Sequence, residues 1–260
     1  MSAYQSIRSV IFDIHNVLVS NDASACFSRY LAEKAKIDPR IDTMWSGDVR
    51  TVLYGLLTKY CPLCDYKMCT QYPINDPACH MRKAIDAGQI TYEGYKVAMT
   101  YMLTHYVQCE PKVRIVLDHA VDFFSRPEMM MQSMKPLKVG VQLFHHIVKK
   151  FGRSNVFLLS NFPLEAFSIF KVAFADIYDS IPEQNAVVAG HIGIAKPDPK
   201  IFEAMIKRVG GEPSTMVLID DQMNNIVSAR GVGMQALLFS PKPSAELAAW
   251  YKEINFTPDK

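Results

Sequence analysis

The sequence lacks most marks of a secreted, membrane-spanning or nucleic-acid-binding chain. Cysteine is scarce: Cys26, Cys61, Cys64, Cys69, Cys79 and Cys109 are six among 260 residues, far below the density of a disulfide scaffold. No apolar run approaches the roughly 18–20 residues that a spanning helix needs. The first residues carry no basic segment, apolar stretch and small-residue cleavage site, so a cytoplasmic protein with reduced thiols is expected. Charge of one sign is missing as well. With 28 Lys+Arg against 26 Asp+Glu the formal net charge is +2, too little to build a broad field for nucleic acid or an anionic membrane, and neither is expected as a partner. There is no internal repeat and no low-complexity tract.

What is present is an ordinary globular composition, 49% hydrophobic and 21% charged, enough for a sizeable core. The length suits two units, since domains run to about 100–200 residues. Short apolar runs that end in polar residues read as buried strands: Val10-Ile11-Phe12 before Asp13, Val156 to Leu159 before Ser160-Asn161, and Met216 to Ile219 before Asp220-Asp221. A further apolar run, Val17-Leu18-Val19, follows the polar break at His15-Asn16. Between the strands lie helical patterns: one through Leu143, Ile147 and Val148 that meets the turn Gly152-Arg153-Ser154, one over Ile201 to Val209 closed by Gly210-Gly211, and a final helix–strand pair, Ile226 to Arg230 and Gln235 to Phe239. Such alternation predicts an α/β fold, a Rossmann-like, doubly wound and mostly parallel sheet. From Asn21 to about Gln132 the apolar spacing is helical instead. That block is read as an all-helical insertion, residues 20–132, in a discontinuous core of residues 1–19 and 133–260.

Open α/β sheets bind ligands outside the carboxyl ends of their strands, so polar residues that follow apolar runs are the candidates for chemistry. Asp13, Ser160, Asn161, Asp220 and Asp221 meet that condition. Lys196, in Ala195-Lys196-Pro197-Asp198-Pro199, joins them, its two prolines predicting an extended local path. Taken singly, each would pass for a loop or helix-capping residue. As a set they supply carboxylates, a hydroxyl and a cation, the groups of a reaction centre.

In this order the motifs resemble the haloacid dehalogenase superfamily. Its first motif, an apolar strand followed by Asp-x-Asp-x-(Thr/Val), stands here as Asp13-Ile14-His15-Asn16-Val17; its second, a strand ending in Ser or Thr, as Leu-Leu-Ser160-Asn161. The third, a lysine, stands as Lys196-Pro-Asp-Pro, and the paired acid of the fourth as Asp220-Asp221-Gln-Met-Asn-Asn225. The resemblance is nearest to the branch containing the phosphatase domain of soluble epoxide hydrolase and bacterial sugar-phosphate phosphatases. In that branch a helical cap lies between the first two motifs, and Ala87-Gly88-Gln89-Ile90-Thr91 with Tyr95 resembles a recurring piece of it.

The resemblance implies a magnesium-dependent phosphatase acting on a small phosphorylated substrate. Asp13 is then the nucleophile. Asp13, the carbonyl of His15 and Asp221 become metal ligands, with Asp220 close by through water or Lys196. Ser160, Asn161 and Lys196 hold the transferred group, and Asn225 orients the acid pair. Phosphoryl transfer calls for these types independently of any family: an oxyanion nucleophile, positive charge on the nonbridging oxygens and a proton for the leaving alkoxide. One position departs. His15 stands where the family usually has a second Asp, and its imidazole, which titrates near neutral pH, is a candidate acid–base group in its place.

That departure keeps two alternatives in view: a hydrolytic dehalogenase, against which the metal-suited pair Asp220-Asp221 speaks, and a catalytically silent fold member that binds a partner through its cap. The cluster Cys61-Pro-Leu-Cys64-Asp-Tyr-Lys-Met-Cys69, with Cys79-His80 beyond, is compatible with zinc, but its spacing after the first pair is irregular and thiols on a cap loop are expected. His145-His146 is placed on a helix surface, and Met129-Met130-Met131 in packing. Nothing in the sequence chooses between monomer and dimer.

Overall fold

In the computed structural model residues 6–41, 84–105 and 109–259 are described. The chain divides into two compact units, one of Met1–Asn21 with Lys135–Lys260 and one of Asp22–Met134.

The first unit is built on five parallel strands in the order β5-β4-β1-β6-β7, with β1 Ser9–Phe12, β4 Val156–Ser160, β5 Ala186–Val188, β6 Met216–Asp220 and β7 Gln235–Leu238. Strands β1, β4 and β6 are buried along their whole length. A central strand of a parallel sheet is covered on both faces, which is why these segments read as unbroken apolar runs instead of alternating ones. Ile11, Phe157, Leu159 and Leu218 pack with Ile201, Phe202 and Met205 of helix Pro199–Val209 and with Ile226 of helix Met223–Gly231. Phe12 points the other way and meets Phe144 of helix Lys138–Phe151 edge-on, with ring centroids 5.4 Å apart. Each such buried side chain contributes roughly 1.5–3 kcal/mol of hydrophobic stabilisation. The sheet is thus helix-covered and doubly wound, Rossmann-like as expected.

Local chemistry explains the helix ends. Asp198 accepts a hydrogen bond from the Lys200 N–H and Pro199 takes the first helical position, where its missing donor costs nothing; Gly210, with φ +74°, closes the other end. In helix Lys138–Phe151 a Cβ on Gly140 would lie 1.6 Å from the Val17 carbonyl oxygen, so only glycine lets that helix approach the turn after β1.

Val17 and Leu18 belong to a turn, in which the N–H groups of Leu18 and Val19 both donate to the Ile14 carbonyl, and a strand begins at Val19. One local expectation is corrected: Lys196-Pro197 is a turn with a cis peptide, not an extended path. Strand β2, Val19–Asn21, and strand β3, Met134–Pro136, form a separate two-stranded ribbon.

In the second unit helices Ala23–Ala35, Tyr92–His105, Pro111–Phe124 and Pro127–Gln132 surround a core of Phe27, Leu31, Met99, Leu103, Leu117 and Phe123. Phe27 packs edge-on against Phe123 at 5.3 Å. Met131 is buried, and Met129 and Met130 pack against the same cluster. The piece Ala87 to Thr91 is a turn between helical stretches: Gly88 takes φ +68°, and Thr91 Oγ1 accepts the Gly94 N–H at 3.0 Å. At the ends of this unit the Asp22 N–H donates to the Ser133 carbonyl at 3.0 Å. Cys61, Cys64, Cys69, Cys79 and His80 lie outside the described residues. Cys26 and Cys109 are free thiols. No helix among the described residues is long and apolar enough to cross a membrane.

Candidate active site

The parallel register puts the ends of β1, β4 and β6 side by side. Phe12 is level with Leu158 on one flank and Ile219 on the other, so Asp13, Ser160 and Asp220 emerge at one edge of the sheet. Lys196 reaches them from the turn before helix Pro199–Val209. Its Nζ lies 2.9 Å from Asp13 Oδ1 and 2.6 Å from Asp220 Oδ2, and all three side chains are at most 5% exposed.

Each carboxylate is held differently. On Asp13, Oδ1 accepts from the Ile14 N–H at 2.7 Å and from Ser160 Oγ at 3.0 Å besides meeting Lys196. These contacts all fall on one oxygen, and Oδ2 takes no hydrogen bond among the described residues. Asp220 is occupied on both sides, Oδ2 by Lys196 and Oδ1 by the Gln222 N–H at 2.9 Å and Asn225 Nδ2 at 2.8 Å. Asp221 is the opposite case: Oδ2 accepts from Asn16 Nδ2 at 3.0 Å, while Oδ1 is buried with no partner.

The charges do not balance. Three carboxylates share one ammonium group in a site largely closed to water. Burial pushes the Asp13 carboxyl up to about 7; Lys196 opposes the rise, and the charges of Asp220 and Asp221 add to it. Burial would lower the Lys196 pKa, but the charges of Asp13 and Asp220 overcome it and raise it above the ordinary lysine value. Burial raises the Asp221 carboxyl too, against the hydrogen bond from Asn16. Each group is thus shifted toward its protonated form, the two acids chiefly by burial and the lysine by its neighbouring carboxylates, and the cluster gains from whatever brings positive charge in. A metal ion fits this requirement. Asp13, Asp220 and Asp221 can each offer a carboxylate oxygen, all within 4.8 Å of one another, and the unpartnered Oδ1 of Asp221 is a ligand atom in waiting. An all-oxygen, anionic set suits a hard cation such as magnesium.

The cluster therefore gathers Asp13, Ser160, Lys196, Asp220, Asp221 and Asn225 from the sequence candidates. The Asn161 side chain serves the lysine: Oδ1 accepts the Lys196 N–H at 2.8 Å and Nδ2 donates to the Lys196 carbonyl at 3.0 Å, so the amide clamps the lysine's backbone. His15 is half-buried, and its ring stacks on Phe162 at a centroid distance of 6.3 Å. His145 is exposed, and His146 Nε2 pairs with the Ile254 carbonyl at 2.9 Å. Sequence reasoning passed over Asn16 and Phe162. The positive φ of Asn16, +57°, was the feature to look for, because an Asn in a turn directly after a strand-end Asp is a common left-handed residue.

A parallel sheet with acid, hydroxyl and lysine gathered at its carboxyl edge defines a Rossmann-like hydrolase. The chain belongs to the haloacid dehalogenase-like hydrolase family, whose sequence profile matches residues 82–233, more than half its length. Among curated relatives it is 34% identical over 58 residues to drimenol cyclase drtB of Aspergillus calidoustus, which is 22% of this chain and 11% of that protein. It is 31% identical over 71 residues to the glyceraldehyde 3-phosphate phosphatase of Pyrococcus furiosus, 27% of this chain and 30% of that one. The chain thus spans only a minor part of either relative. Among solved structures, a haloacid dehalogenase family enzyme of Bacteroides thetaiotaomicron in complex with magnesium and inorganic phosphate matches with a TM-score of 0.53 at 14% identity, over 92% of this chain and 97% of that one. A 2-haloacid dehalogenase of Pseudomonas syringae matches with a TM-score of 0.53 at 19% identity, over 92% and 89%. At these identities the likeness is one of fold.

Proposed function

We propose that the protein is a magnesium-dependent phosphomonoesterase that hydrolyses a small phosphorylated metabolite through an aspartyl-phosphate on Asp13. The observation that carries this reading is the buried cluster in which three carboxylates share the single ammonium group of Lys196. Carbon–halogen displacement needs no such excess of anionic oxygen, whereas a site for magnesium and phosphate does.

Asp13, Asp221 and the backbone carbonyl of His15 would hold the metal, with Asp220 acting at one remove because Lys196, Asn225 and the Gln222 N–H already occupy its oxygens. When bound, magnesium supplies charge neutralisation for the phosphate oxygens. Asp13 attacks phosphorus through Oδ2 while Ile14, Ser160 and Lys196 keep the carboxylate from rotating. The bond from phosphorus to the alcohol oxygen breaks as the bond to Asp13 forms. Lys196, Ser160 and the backbone N–H groups near Asn161 stabilise the transferred group. His15 donates a proton to the leaving alkoxide and then takes one from the water that attacks the aspartyl-phosphate, which releases phosphate and restores Asp13. Stacking on Phe162 supports a fixed ring orientation for that task.

The helical segment, residues 20–132, is assigned the role of a cap that admits small esters and turns away macromolecular phosphates. The match to the Pyrococcus furiosus glyceraldehyde 3-phosphate phosphatase supports a small phosphorylated sugar as the class to try first. A screen of phosphorylated metabolites with and without magnesium, on wild type and Asp13→Asn, tests the reading, with 2-haloalkanoates as a second panel. Phosphate release that needs magnesium and Asp13 supports it. Halide release independent of magnesium replaces it with a dehalogenase, and no turnover of either panel by folded protein replaces it with a binding protein.

A further inference from the structure

Asn16 lies in the turn after the proposed nucleophile, with φ +57° and its N–H bonded to the Val19 carbonyl at 2.7 Å. The left-handed conformation is strained for a residue with a Cβ, and glycine is the residue that adopts it without penalty. If the turn alone mattered, glycine would serve at least as well as asparagine. The turn is also closed by backbone bonds that need no side chain, from Leu18 and Val19 to Ile14.

The side chain of Asn16 crosses from this turn to the end of β6, where Nδ2 donates to Asp221 Oδ2 at 3.0 Å. It makes the only side-chain hydrogen bond to Asp221 among the described residues, whereas Asp220 next door is held by Lys196, Asn225 and the Gln222 N–H. The other oxygen of Asp221 is buried and has no partner. One oxygen is tied and one is presented. A carboxylate that could rotate about its last torsion would lose that freedom on taking up a cation, and a fixed donor on the far oxygen removes the loss in advance.

We infer that Asn16 is a positioning residue of the metal site, which holds Asp221 through Oδ2 so that Oδ1 faces the cation. The assignment rests on the reading of the acidic cluster as a magnesium site. It gives Asn16 a reason to occupy a position where backbone conformation alone favours glycine. It also makes the turn after β1 contribute twice to the site, once through the nucleophile and once through an amide that acts 205 residues away in sequence.

Calorimetric titration of magnesium into metal-free protein tests the inference without recourse to turnover. Asn16→Gly keeps the backbone conformation and removes only the amide, so the melting temperature in EDTA should equal or exceed that of wild type, while magnesium affinity should fall roughly 10-fold, the lower end of what loss of a partner behind a metal ligand costs. In an Asp221→Asn background the same glycine substitution should change affinity by less than about twofold, because its target is already altered. If Asn16→Gly binds magnesium as wild type does, Asn16 is a turn residue only and the inference falls while the magnesium site stands. An equal loss in both backgrounds overturns it as well, since the effect would not run through Asp221. Wild type that takes up no magnesium overturns the site and the inference together.

Discussion

The two units handle charge in opposite ways. In the α/β unit Asp13, Lys196 and Asp220 are sealed from water, at most 5% exposed, and held by several bonds each. In the helical unit Asp122 has comparable company: it accepts from Tyr30 at 3.0 Å and lies 2.7 Å from Arg126 and 3.5 Å from Lys96. Its side chain, however, is 23% exposed, and those of Arg126 and Lys96 are 45% and 42% exposed. There two cations face one carboxylate and water screens all three, so the cluster adds little to stability. A sealed and unbalanced cluster costs several kcal/mol per ion in desolvation, and apolar residues of the same shape would stabilise the fold at least as well. Such a cluster is retained for what it does. The same residue types thus mean surface chemistry in one unit and the proposed reaction centre in the other, and burial together with net charge separates them.

The comparison breaks most visibly at the proposed nucleophile. Asp13→Asn should leave less than about one per cent of wild-type phosphate release, because an amide neither attacks phosphorus nor carries the ligand charge. Yet it should not weaken the metal-free fold. With its folded pKa raised to about 7, Asp13 keeps a proton that the unfolded chain has already released, so stability falls as pH rises from the ordinary carboxylate range through about 7. In EDTA at about pH 8, Asp13→Asn is therefore expected to melt at a higher temperature than wild type. A lower melting temperature would place Asp13 among the stabilising residues.

Lys196→Met tests the imbalance from the other side. It leaves three carboxylates with no cation and should destabilise the metal-free protein by roughly 3–5 kcal/mol in urea unfolding. Added magnesium should recover part of that loss, since it binds the folded state and supplies the missing charge. Equal loss with and without the metal would contradict the proposed site.

Legibility in the sequence follows the same division. The central strands and the order of the site residues could be read, because a parallel strand buried on both faces is an apolar run and the first polar residue after it sits at the sheet edge. Strand Ala186–Val188 and helix Leu164–Ala173 were not read. The strand has three residues, too few for a pattern, and the helix lies in a mostly apolar stretch with weak periodicity. Amide partnerships leave no pattern at all: Asn161 clamps a lysine 35 residues away and Asn16 meets an acid 205 residues away. Motif spacing located Asp220 and Asp221 equally well but could not say that one is saturated and the other is open.

A smaller effect sharpens that distinction between the neighbouring acids. Asp221→Asn should chiefly weaken magnesium binding, so that phosphate release returns in part at high metal concentration; a defect that ignores metal concentration would remove Asp221 from the ligands. The smallest effect belongs to the helical unit. Burial pushes the Asp122 carboxyl up, but Arg126 and Tyr30 more than offset it and hold it below its ordinary value. Its contribution is therefore present above the ordinary carboxylate range and lost as pH falls through the lowered value. Asp122→Asn should cost no more than about 1 kcal/mol at neutral pH, and the gap between the two melting curves should close in acid. A gap that persists there would mean packing, not charge, sets the difference.

The hydrogen bond from the Asp22 N–H to the Ser133 carbonyl closes the helical segment into a loop whose two ends lie together. Closing such a loop becomes dearer only as the logarithm of its length, so residues between those ends can be gained or lost at little thermodynamic expense to the sheet. Asp13 stands before the loop and Ser160, Lys196 and Asp220 after it, which leaves the α/β unit a constant chassis and the helical segment an interchangeable attachment. Descent with modification can therefore rewrite the one while the other keeps its residues in register.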